Sequence, residues 1–446
     1  MIETIDTPLS LLAGSPYRGY SYAYPHKTAY RRLDPPVSLV EAWAAEPKNG
    51  LFLYVHVPFC DMRCGFCNLF TQSRPPAAVV ADYLDAFDRQ CVAIGAAIGE
   101  ACFSRFAIGG GTPTFLDAKQ LERLFDGAER LMEREASAIP TSVETSPSTA
   151  DWERLAVLRQ RGVARVSLGV QSFTEAEVWA SGRPQNPAAV VAAIERIRSL
   201  AFPVLNLDLI YGLPGQTVAS WLASVRAALR FQPEELFLYP LYVRPLTGLG
   251  KSRRSWDDRR LSCYLEARDL LLAAGYVQAS MRLFRASHAP SEPGSEGPAY
   301  CVQDDGMVGL GCGARSYTSG LHYADGYAVS QKEVGKLVEE YVGRPAAEFA
   351  IARHGFRLDE EERRRRFIAI AMLQSPGLPL AEYEKRFGTS AIEDFPLLAE
   401  LESLELAERR GGYLQLTPAG IERSDVIGPA LDSPAVRVLM EEYECR

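Results

Sequence analysis

The chain has 446 residues, of which 47% are hydrophobic, and it carries a formal net charge of −8 at pH 7. This size is enough for one large domain and one or two smaller ones, and the acidic balance argues against non-specific nucleic-acid binding. No secretory signal is expected in the first seven residues and no membrane span in the interrupted apolar stretch 91–103, and nine cysteines are typical of a reduced, cytoplasmic setting.

The predicted elements begin with a loop-rich extension over residues 1–49, whose tyrosines we interpret as packing residues rather than ligands. From residue 50 to residue 345, short apolar strands alternate with longer amphipathic helices. The predicted strands are 51–57, 103–108, 141–145, 165–170, 204–210 and 235–239, and the predicted helices include 77–100, 117–134 and 261–274. This alternation predicts an α/β fold in which helical crossovers connect the strands of a parallel sheet.

Residues suited to chemistry follow the ends of these strands. A cysteine loop follows the first strand and the glycine triplet 109–111 ends the second, while Glu144, Gln171 and Asp208 lie at the ends of later strands. Reactive groups of parallel β/α folds gather at the C-terminal ends of the strands. The sequence therefore predicts a single site at this edge of the sheet.

Residues 346–446 have a different pattern. Three helical segments precede two short strands that turn at Gly411 and Gly412, which predicts a small winged-helix-like domain. Such a domain could bind DNA, but the acidic balance of the chain favours a cap over the site.

The clearest motif is the spacing C-x3-C-x2-C of Cys60, Cys64 and Cys67. One short loop cannot bury three cysteines as ordinary small hydrophobes, and disulfide pairing would leave one thiol unpaired. Thiolate ligation of a soft metal centre fits best. Because no fourth cysteine or histidine lies close by, one coordination position stays open, as a reactive site requires. We therefore predict a [4Fe–4S] cluster with one iron free to bind a small molecule, and a zinc knuckle is the alternative.

The cysteine motif, with Phe66 before its last cysteine and the strand Tyr54-Val-His-Val-Pro-Phe before its first, resembles the radical S-adenosylmethionine (SAM) enzymes. It is most similar to the group around oxygen-independent coproporphyrinogen III oxidase, which also contains heme chaperones and radical methyltransferases that use two SAM molecules. The resemblance implies that the three cysteines hold a [4Fe–4S] cluster whose fourth iron binds SAM. One electron from the cluster then cleaves SAM to methionine and a 5′-deoxyadenosyl radical.

The resemblance also implies the wider context of that chemistry. The fold would be an open, six-fold partial β/α barrel of the TIM type, and the winged-helix-like domain would cover it. The partners would be a small-molecule substrate and an electron donor such as flavodoxin or ferredoxin. Either one or two SAM molecules would bind.

Two strand ends and the aromatic residue of the cysteine loop match motifs that contact SAM in this group. Phe66 is implied to contact the adenine. The backbone of Gly110, Gly111 and Thr112 is implied to face the methionine amino group, and glycines there permit close approach. Glu144 is implied to support SAM, although a structural salt bridge with an arginine would also satisfy it.

Other matching positions complete the implied site. Arg183 would pair with the SAM carboxylate through its planar guanidinium, and Asp208 would accept hydrogen bonds from the ribose hydroxyls. Gln171 lies in a matching strand-end motif. Tyr54 matches a SAM-contacting tyrosine, and core packing is its alternative role. Tyr54 and Arg183 are the residues that we expect to take part directly in catalysis.

Two departures bear on the substrate. The coproporphyrinogen oxidases carry a further cysteine two residues after the last ligand, where this chain has Leu69. The segment 237–245 also differs from the substrate wall of those enzymes. Oxidative decarboxylation of a porphyrinogen-type substrate is therefore expected alongside two alternatives, a two-SAM methyltransferase or cyclopropanase and a heme-binding chaperone without turnover.

Overall fold

The computed structural model describes residues 11–12, 14–252, 255–290 and 306–444, so the first seven residues lie outside the described part. The strands, in chain order, are β1 (Arg31–Ser38), β2 (Leu51–Val57), β3 (Phe59–Cys60), β4 (Gln72–Ser73), β5 (Phe103–Gly110), β6 (Thr141–Thr145), β7 (Arg165–Gln171), β8 (Val204–Tyr211), β9 (Glu235–Pro240), β10 (Tyr276–Gln278), β11 (Leu283–Ala286), β12 (Met307–Leu310), β13 (Arg315–Tyr317), β14 (Leu321–Ala324), β15 (Ile351–Arg357), β16 (Leu378–Pro379), β17 (Ala407–Arg410) and β18 (Tyr413–Leu416).

The α-helices, in chain order, are α1 (Leu39–Ala44), α2 (Ala77–Ile98), α3 (Ala118–Met132), α4 (Trp152–Gln160), α5 (Glu175–Ala180), α6 (Pro187–Ser199), α7 (Val218–Leu229), α8 (Arg260–Ala273), α9 (Gln331–Val342), α10 (Glu360–Met372), α11 (Leu380–Phe387), α12 (Ala391–Asp394), α13 (Leu397–Ser403), α14 (Pro418–Ile421), α15 (Ser424–Ala430) and α16 (Pro434–Glu441). Of the described residues, none forms a helix with both the length and the apolar character that a bilayer crossing needs.

The predicted parallel sheet is confirmed. Within the described residues, thirteen strands form one sheet in the order β1-β15-β14-β13-β12-β2-β5-β6-β7-β8-β9-β11-β10. The strands predicted from the sequence are β2, β5, β6, β7, β8 and β9, and each is parallel to the next. Because β1 and β10 are the two ends of this order, the sheet is open rather than closed into a barrel.

A further parallel strand, β12, pairs with β2 on the side away from β5. It is four residues long, which is too short for apolar periodicity to reveal it. Gly309 allows β13 to pack closely on β12, because a Cβ there would lie 2.2 Å from the carbonyl oxygen of Arg315. Arg315 therefore begins the strand next to β12, one strand away from β2.

The two faces of the sheet differ in chemistry because alternate side chains point to opposite sides. On one face, Leu53, Val55 and Val57 are fully buried and share a core with Phe87 of α2 and Phe125 of α3. Burial of each such side chain contributes roughly 1.5–3 kcal/mol to stability. The opposite face carries the polar residues described below, so the apolar helices hold one face while the other stays available for ligands.

The N-terminal segment belongs to both parts of the molecule. Its strand β1 pairs with β15 at the edge of the large sheet, while Leu11, Tyr24 and Ala29 are buried in the core of the C-terminal helices. The hydroxyl of Tyr24 donates to the carboxylate of Glu362, and this hydrogen bond connects the N-terminal segment to α10. The domain limits at 49/50 and 345/346 stay predictions. The strand β15 lies beyond residue 345 in the sequence but belongs to the large sheet.

The C-terminal region contains the predicted helices and hairpin. The strands β17 and β18 pair antiparallel, β16 adds a third strand, and Gly411 and Gly412 form the turn with positive φ angles of 58° and 87°. One buried ion pair joins this region to the large sheet, because Arg282 donates to Asp425 of α15 at 2.6 Å. Tyr242 also donates to Asp425, at 2.6 Å.

Candidate active site

The three cysteines of the motif lie on the loop that follows β2. The loop is packed closely against the segment after α5, because the amide of Gly65 donates to the carbonyl of Ser181 at 3.0 Å. A Cβ on Gly65 would lie 2.5 Å from that same oxygen, so only glycine fits there. This contact positions the loop beside Arg183, which is two residues further along.

Each cysteine sulfur lies beside a polar side chain. Arg183 donates from Nη1 to the Sγ of Cys64 at 3.1 Å, and Thr112 donates to the Sγ of Cys60 at 3.5 Å. The Sγ of Cys67 lies 3.9 Å from the hydroxyl of Thr71. Burial raises the pKa of Cys60 to about 12, and the neighbouring thiols Cys67 and Cys64 raise it further. Because burial and the neighbouring thiols both oppose ionisation of Cys60, a cationic centre is needed for the three cysteines to be thiolates together.

The donor set fits a [4Fe–4S] cluster better than a single ion. Within the described residues, no group of three or more His, Cys, Asp or Glu side chains converges on one metal position. A [4Fe–4S] cluster does not require that convergence, because each thiolate binds a different iron atom. The three thiols can thus hold three irons, and a cluster would supply the positive charge that their deprotonation needs.

The glycine triplet packs against Cys60, the first cysteine of the motif. The amide of Gly111 donates to Val57 and that of Thr112 to Phe59, both at 2.8 Å. A Cβ on Gly111 would lie 2.6 Å from the Phe59 carbonyl oxygen and 3.0 Å from the Sγ of Cys60. Gly110 has φ +114°, a conformation that side chains rarely adopt, and a Cβ there would meet the His56 ring. Glycine is therefore required by close approach at this strand end.

Glu144 connects the triplet to the next strand. Its Oε2 accepts a hydrogen bond from the amide of Gly110 at 3.2 Å, and a Cβ on Gly109 would lie 3.0 Å from its carboxylate. Among the described residues, the hydrogen-bond donor to this carboxylate is a backbone amide rather than an arginine. The Glu144 side chain is exposed to solvent, yet the surrounding protein removes part of its hydration. This desolvation raises the pKa of Glu144 to about 7, Asp208 also raises it, and the Gly110 amide lowers it.

We predict that Glu144→Gln changes the pH dependence of stability. A native pKa of about 7 means that the folded protein binds the Glu144 proton more tightly than the unfolded chain does. The free energy of unfolding of the wild type should therefore fall relative to that of Glu144→Gln as the pH rises through the window from the ordinary glutamate pKa to about 7. Denaturant unfolding of both proteins from pH 5 to pH 8 measures this difference. A constant difference across the range would contradict the prediction.

We call the polar face of the sheet, opposite the apolar helices, its inner face. On this face, further polar side chains lie on the strands that follow that of Glu144 in the sheet. Ser167 donates to Asp208 at 3.1 Å, and Asn206 donates to its other oxygen at 2.7 Å. Burial raises the pKa of Asp208, although Arg165, Asn206 and Ser167 lower it. At the opposite end of the strands, Arg165 donates to Glu235 at 2.7 Å. Asp208 thus accepts hydrogen bonds from two neutral side chains. Glu235, by contrast, already forms an ion pair with Arg165.

Gln171 and Arg183 lie together at the end of β7. Gln171 has the left-handed φ of 69°, and its Nε2 would lie 2.9 Å from a Cβ on Gly169. Arg183 donates from Nη2 to the carbonyl of Gly169 at 2.7 Å while its Nη1 contacts Cys64. A positive side chain therefore lies between the strand end and a cysteine ligand.

The two predicted aromatic residues are both half-buried but have different neighbours. Phe66 packs against an apolar group at the ends of β8 and β9 that includes Ile210 and Leu213. Tyr54 is half-buried on the inner face, with its hydroxyl 3.5 Å from Nδ1 of His56. Burial raises the pKa of Tyr54, and Glu144 raises it further, which places the two side chains close enough to interact.

The sequence reasoning missed a basic group on the same face. Lys27, from the N-terminal segment interpreted as packing, and Arg315, from β13, both contact the hydroxyl of Tyr22. Arg315 donates to it at 3.5 Å. Local spacing could not have found this group, since the two cations are far apart along the chain. The run Tyr20–Lys27, with its aromatic, His and Lys residues, was the available signal.

Comparison with known families shows two matches. The sequence profile of the Radical SAM superfamily matches residues 54–228, and that of the HemN C-terminal domain matches residues 358–422. The first profile covers the strands from β2 to β8 with their helices, including α7. The second covers the region from α10 to α14.

Curated relatives and a solved structure extend this similarity. The chain is 27% identical to the heme chaperone HemW of Bacillus subtilis over 82% of this chain and 95% of the relative. It is 27% identical to the oxygen-independent coproporphyrinogen III oxidase of Escherichia coli, over 94% and 93% respectively. It is 30% identical to the HemW of E. coli over 59% of this chain and 69% of that protein. The solved structure of the E. coli coproporphyrinogen III oxidase has the same fold, with a TM-score of 0.76, 22% identity and coverage of 95% and 98%.

Proposed function

Because this chain belongs to the radical SAM superfamily, in the group of the oxygen-independent coproporphyrinogen III oxidases and HemW heme chaperones, we propose that it oxidatively decarboxylates a porphyrinogen-type substrate. The superfamily uses a [4Fe–4S] cluster and SAM. When bound, these two groups supply an electron and a radical that abstracts a hydrogen atom. The chain's own residues have to hold both groups and exclude competing reactions.

The thiolates of Cys60, Cys64 and Cys67 would hold the cluster. Arg183 bridges Cys64 and the carbonyl of Gly169, which supports the proposal that its guanidinium pairs with the SAM carboxylate. The remaining proposed contacts to SAM come from the strands, their ends and the cysteine loop, and those residues are Tyr54, Phe66, Gly110, Gly111, Thr112, Glu144, Gln171 and Asp208.

The observation that carries the proposal is the position of Arg183 between a cysteine ligand and the end of β7. Arg183 contacts Cys64 and Gly169, while Glu144 and Asp208 lie on β6 and β8, the strands on either side of β7. In the proposed site, Arg183 would bind the carboxylate of SAM, and the two acids would be partners for its amino and hydroxyl groups. Such a site can orient SAM in one direction against the cluster. Orientation of the reacting groups is the main contribution that a protein makes to cofactor chemistry.

The test is an anaerobic assay of reconstituted protein with SAM, a reductant, coproporphyrinogen III and a one-electron acceptor. The acceptor takes the electron that remains when the substrate radical loses carbon dioxide and forms a carbon–carbon double bond. We expect 5′-deoxyadenosine and carbon dioxide to form together, and flavodoxin or ferredoxin to replace the chemical reductant. We also propose a cytoplasmic location, which the free cysteines in the described residues support. SAM cleavage without any carbon dioxide from the porphyrinogen would contradict the proposed substrate.

A heme-binding chaperone is the second candidate, favoured by the HemW relatives. Leu69, 48% exposed beside the ligands, occupies the position where the oxidases have a further cysteine. A chaperone would bind heme tightly without consuming SAM in a substrate-dependent manner. Heme titration of the reconstituted protein, followed by the same 5′-deoxyadenosine assay, separates the two functions.

A further inference from the structure

Two cations on the inner face, Lys27 and Arg315, form what we call the basic pair. Lys27 lies in the N-terminal segment and Arg315 begins β13. Both side chains are half-buried, and both contact the hydroxyl of Tyr22. The basic pair thus brings together two residues that are far apart in the sequence.

Tyr327 links Lys27 to the cysteine loop. Its Nζ is 3.7 Å from the centre of the Tyr327 ring, and the Tyr327 hydroxyl donates to the carbonyl of Asn68 at 2.6 Å. Asn68 is the residue after the last cysteine of the motif. A ligand group held by Lys27 would therefore lie beside the proposed cluster.

Arg315 extends the basic pair toward the proposed SAM site. Its guanidinium carbon lies 5.0 Å from the centre of the Tyr22 ring, and its charge acts on Tyr54. Tyr54 in turn interacts with Glu144, which holds the glycine triplet. Gly309 pairs with Tyr54 and lies against the backbone of Arg315, so Arg315 is one strand away from Tyr54, a proposed SAM contact.

The basic pair lacks an anion in the described part of the chain. Of the residues described there, no carboxylate lies within ion-pair distance of Lys27 or Arg315. Other buried arginines of this protein are paired, Arg165 with Glu235 and Arg282 with Asp425. Because an unpaired charge is costly to bury, a pair of cations without an acid is suited to receive an anion from a ligand.

The positive charges of the basic pair also shift the pKa values of two neighbouring side chains. Burial would raise the pKa of Tyr22, yet Lys27 and Arg315 together lower it below its ordinary value. Burial lowers the pKa of His26 well below its ordinary range, and Lys27, Arg315 and Arg244 lower it further. His26 therefore stays neutral, and the positive charge is concentrated on the flanking cations.

We propose that Lys27, Arg315 and the Tyr22 hydroxyl bind a carboxylate of the substrate and hold it beside the cysteine loop. This inference rests on the proposed function and adds to it the residues that recognise the acid group. An ammonium, a guanidinium and a phenol can each donate to carboxylate oxygens, and charge-assisted hydrogen bonds of this kind are the strong ones. Binding here places one carboxylate arm of the substrate next to the reacting groups.

The test measures binding of two probes that differ only in their acid groups, coproporphyrin III and its tetramethyl ester. Fluorescence quenching is recorded for the wild type, Lys27→Gln and Arg315→Gln, all with reconstituted cluster. We expect each substitution to weaken coproporphyrin III binding about tenfold and the ester little, since a tenfold change is the effect of one charge-assisted contact. Lys336→Gln removes a charge that is exposed and paired with Glu333, so its binding should match the wild type.

Two further measurements decide what a loss of binding means. Arg315→Lys keeps the charge and should bind coproporphyrin III better than Arg315→Gln, whereas a purely structural role would impair both equally. The KM for SAM in substrate-free cleavage identifies the other source of a carboxylate. A KM that rises in Lys27→Gln and Arg315→Gln, with coproporphyrin III binding unchanged, would overturn the inference and assign the basic pair to SAM.

The outcomes also separate this inference from the proposed function. If the wild type binds coproporphyrin III and both glutamine variants bind it equally well, the basic pair is not the recognition site and the inference fails alone. If the wild type binds neither probe, the porphyrinogen substrate is wrong, and the inference fails with it.

Discussion

Replacing Cys64 by alanine is expected to abolish reductive SAM cleavage and to lower the iron and sulfide content of the reconstituted protein. Cys64 is buried and its sulfur accepts a hydrogen bond from Arg183 at 3.1 Å, so the substitution removes both a ligand and a contact of the proposed SAM site. Loss of an outer contact to a ligand usually costs about 10–100-fold in metal affinity or activity. Removing the ligand itself should lower 5′-deoxyadenosine formation at least about 100-fold.

Cys102→Ala is the matched control, because Cys102 is an exposed free thiol outside the motif. Its iron content and rate of SAM cleavage should equal those of the wild type. Full cluster content and cleavage in Cys64→Ala would refute ligation by this residue. Zinc that persists in place of iron after reconstitution would refute the cluster altogether.

Asp425→Ala is expected to lower the free energy of unfolding by about 3–5 kcal/mol, the usual cost of breaking a buried ion pair by removing one partner. Asp425 is 1% exposed and accepts from Arg282 and Tyr242. The alanine variant leaves the Arg282 charge buried without its acid, between the large sheet and the C-terminal helices. Urea unfolding followed by circular dichroism measures the loss.

Two variants test the cause of that loss. Glu402→Ala breaks the pair with Arg409, whose side chain is 57% exposed, and it should cost at most about 1 kcal/mol. The double variant Arg282→Met with Asp425→Leu removes both charges and should recover much of the stability, since apolar replacements of buried pairs are often neutral. A cost below about 1 kcal/mol in Asp425→Ala would show that this pair does not hold the two regions together.

The strands were predictable because buried parallel strands are nearly continuous apolar runs. The prediction of 141–145 agrees with β6 at both ends, and 51–57 agrees with β2. The strand β12 was missed because four residues between glycines carry too little pattern. Its position beside β2 depends on a parallel pairing across more than two hundred residues of intervening chain.

The edge of the sheet that carries the site was also predictable, because the C-terminal ends of parallel strands lie together in any such fold. The structure adds contacts that the sequence pattern does not contain, such as Arg183 on Cys64 and Gly110 on Glu144. The roles of these residues toward SAM stay predictions that the variants above test.

Strand periodicity, the cysteine spacing and the glycine triplet could be predicted from the sequence alone, because each depends only on residues that are close together in the chain. The basic pair and the Arg282–Asp425 pair depend on folding alone, because their members come from distant parts of the chain. Lys27 lies in the loop-rich N-terminal extension, and Arg315 begins β13. The tertiary structure brings Lys27 and Arg315 together, because the N-terminal segment packs onto the inner face. The properties of a charged group depend on its surroundings, so the sequence alone could not reveal this proposed site.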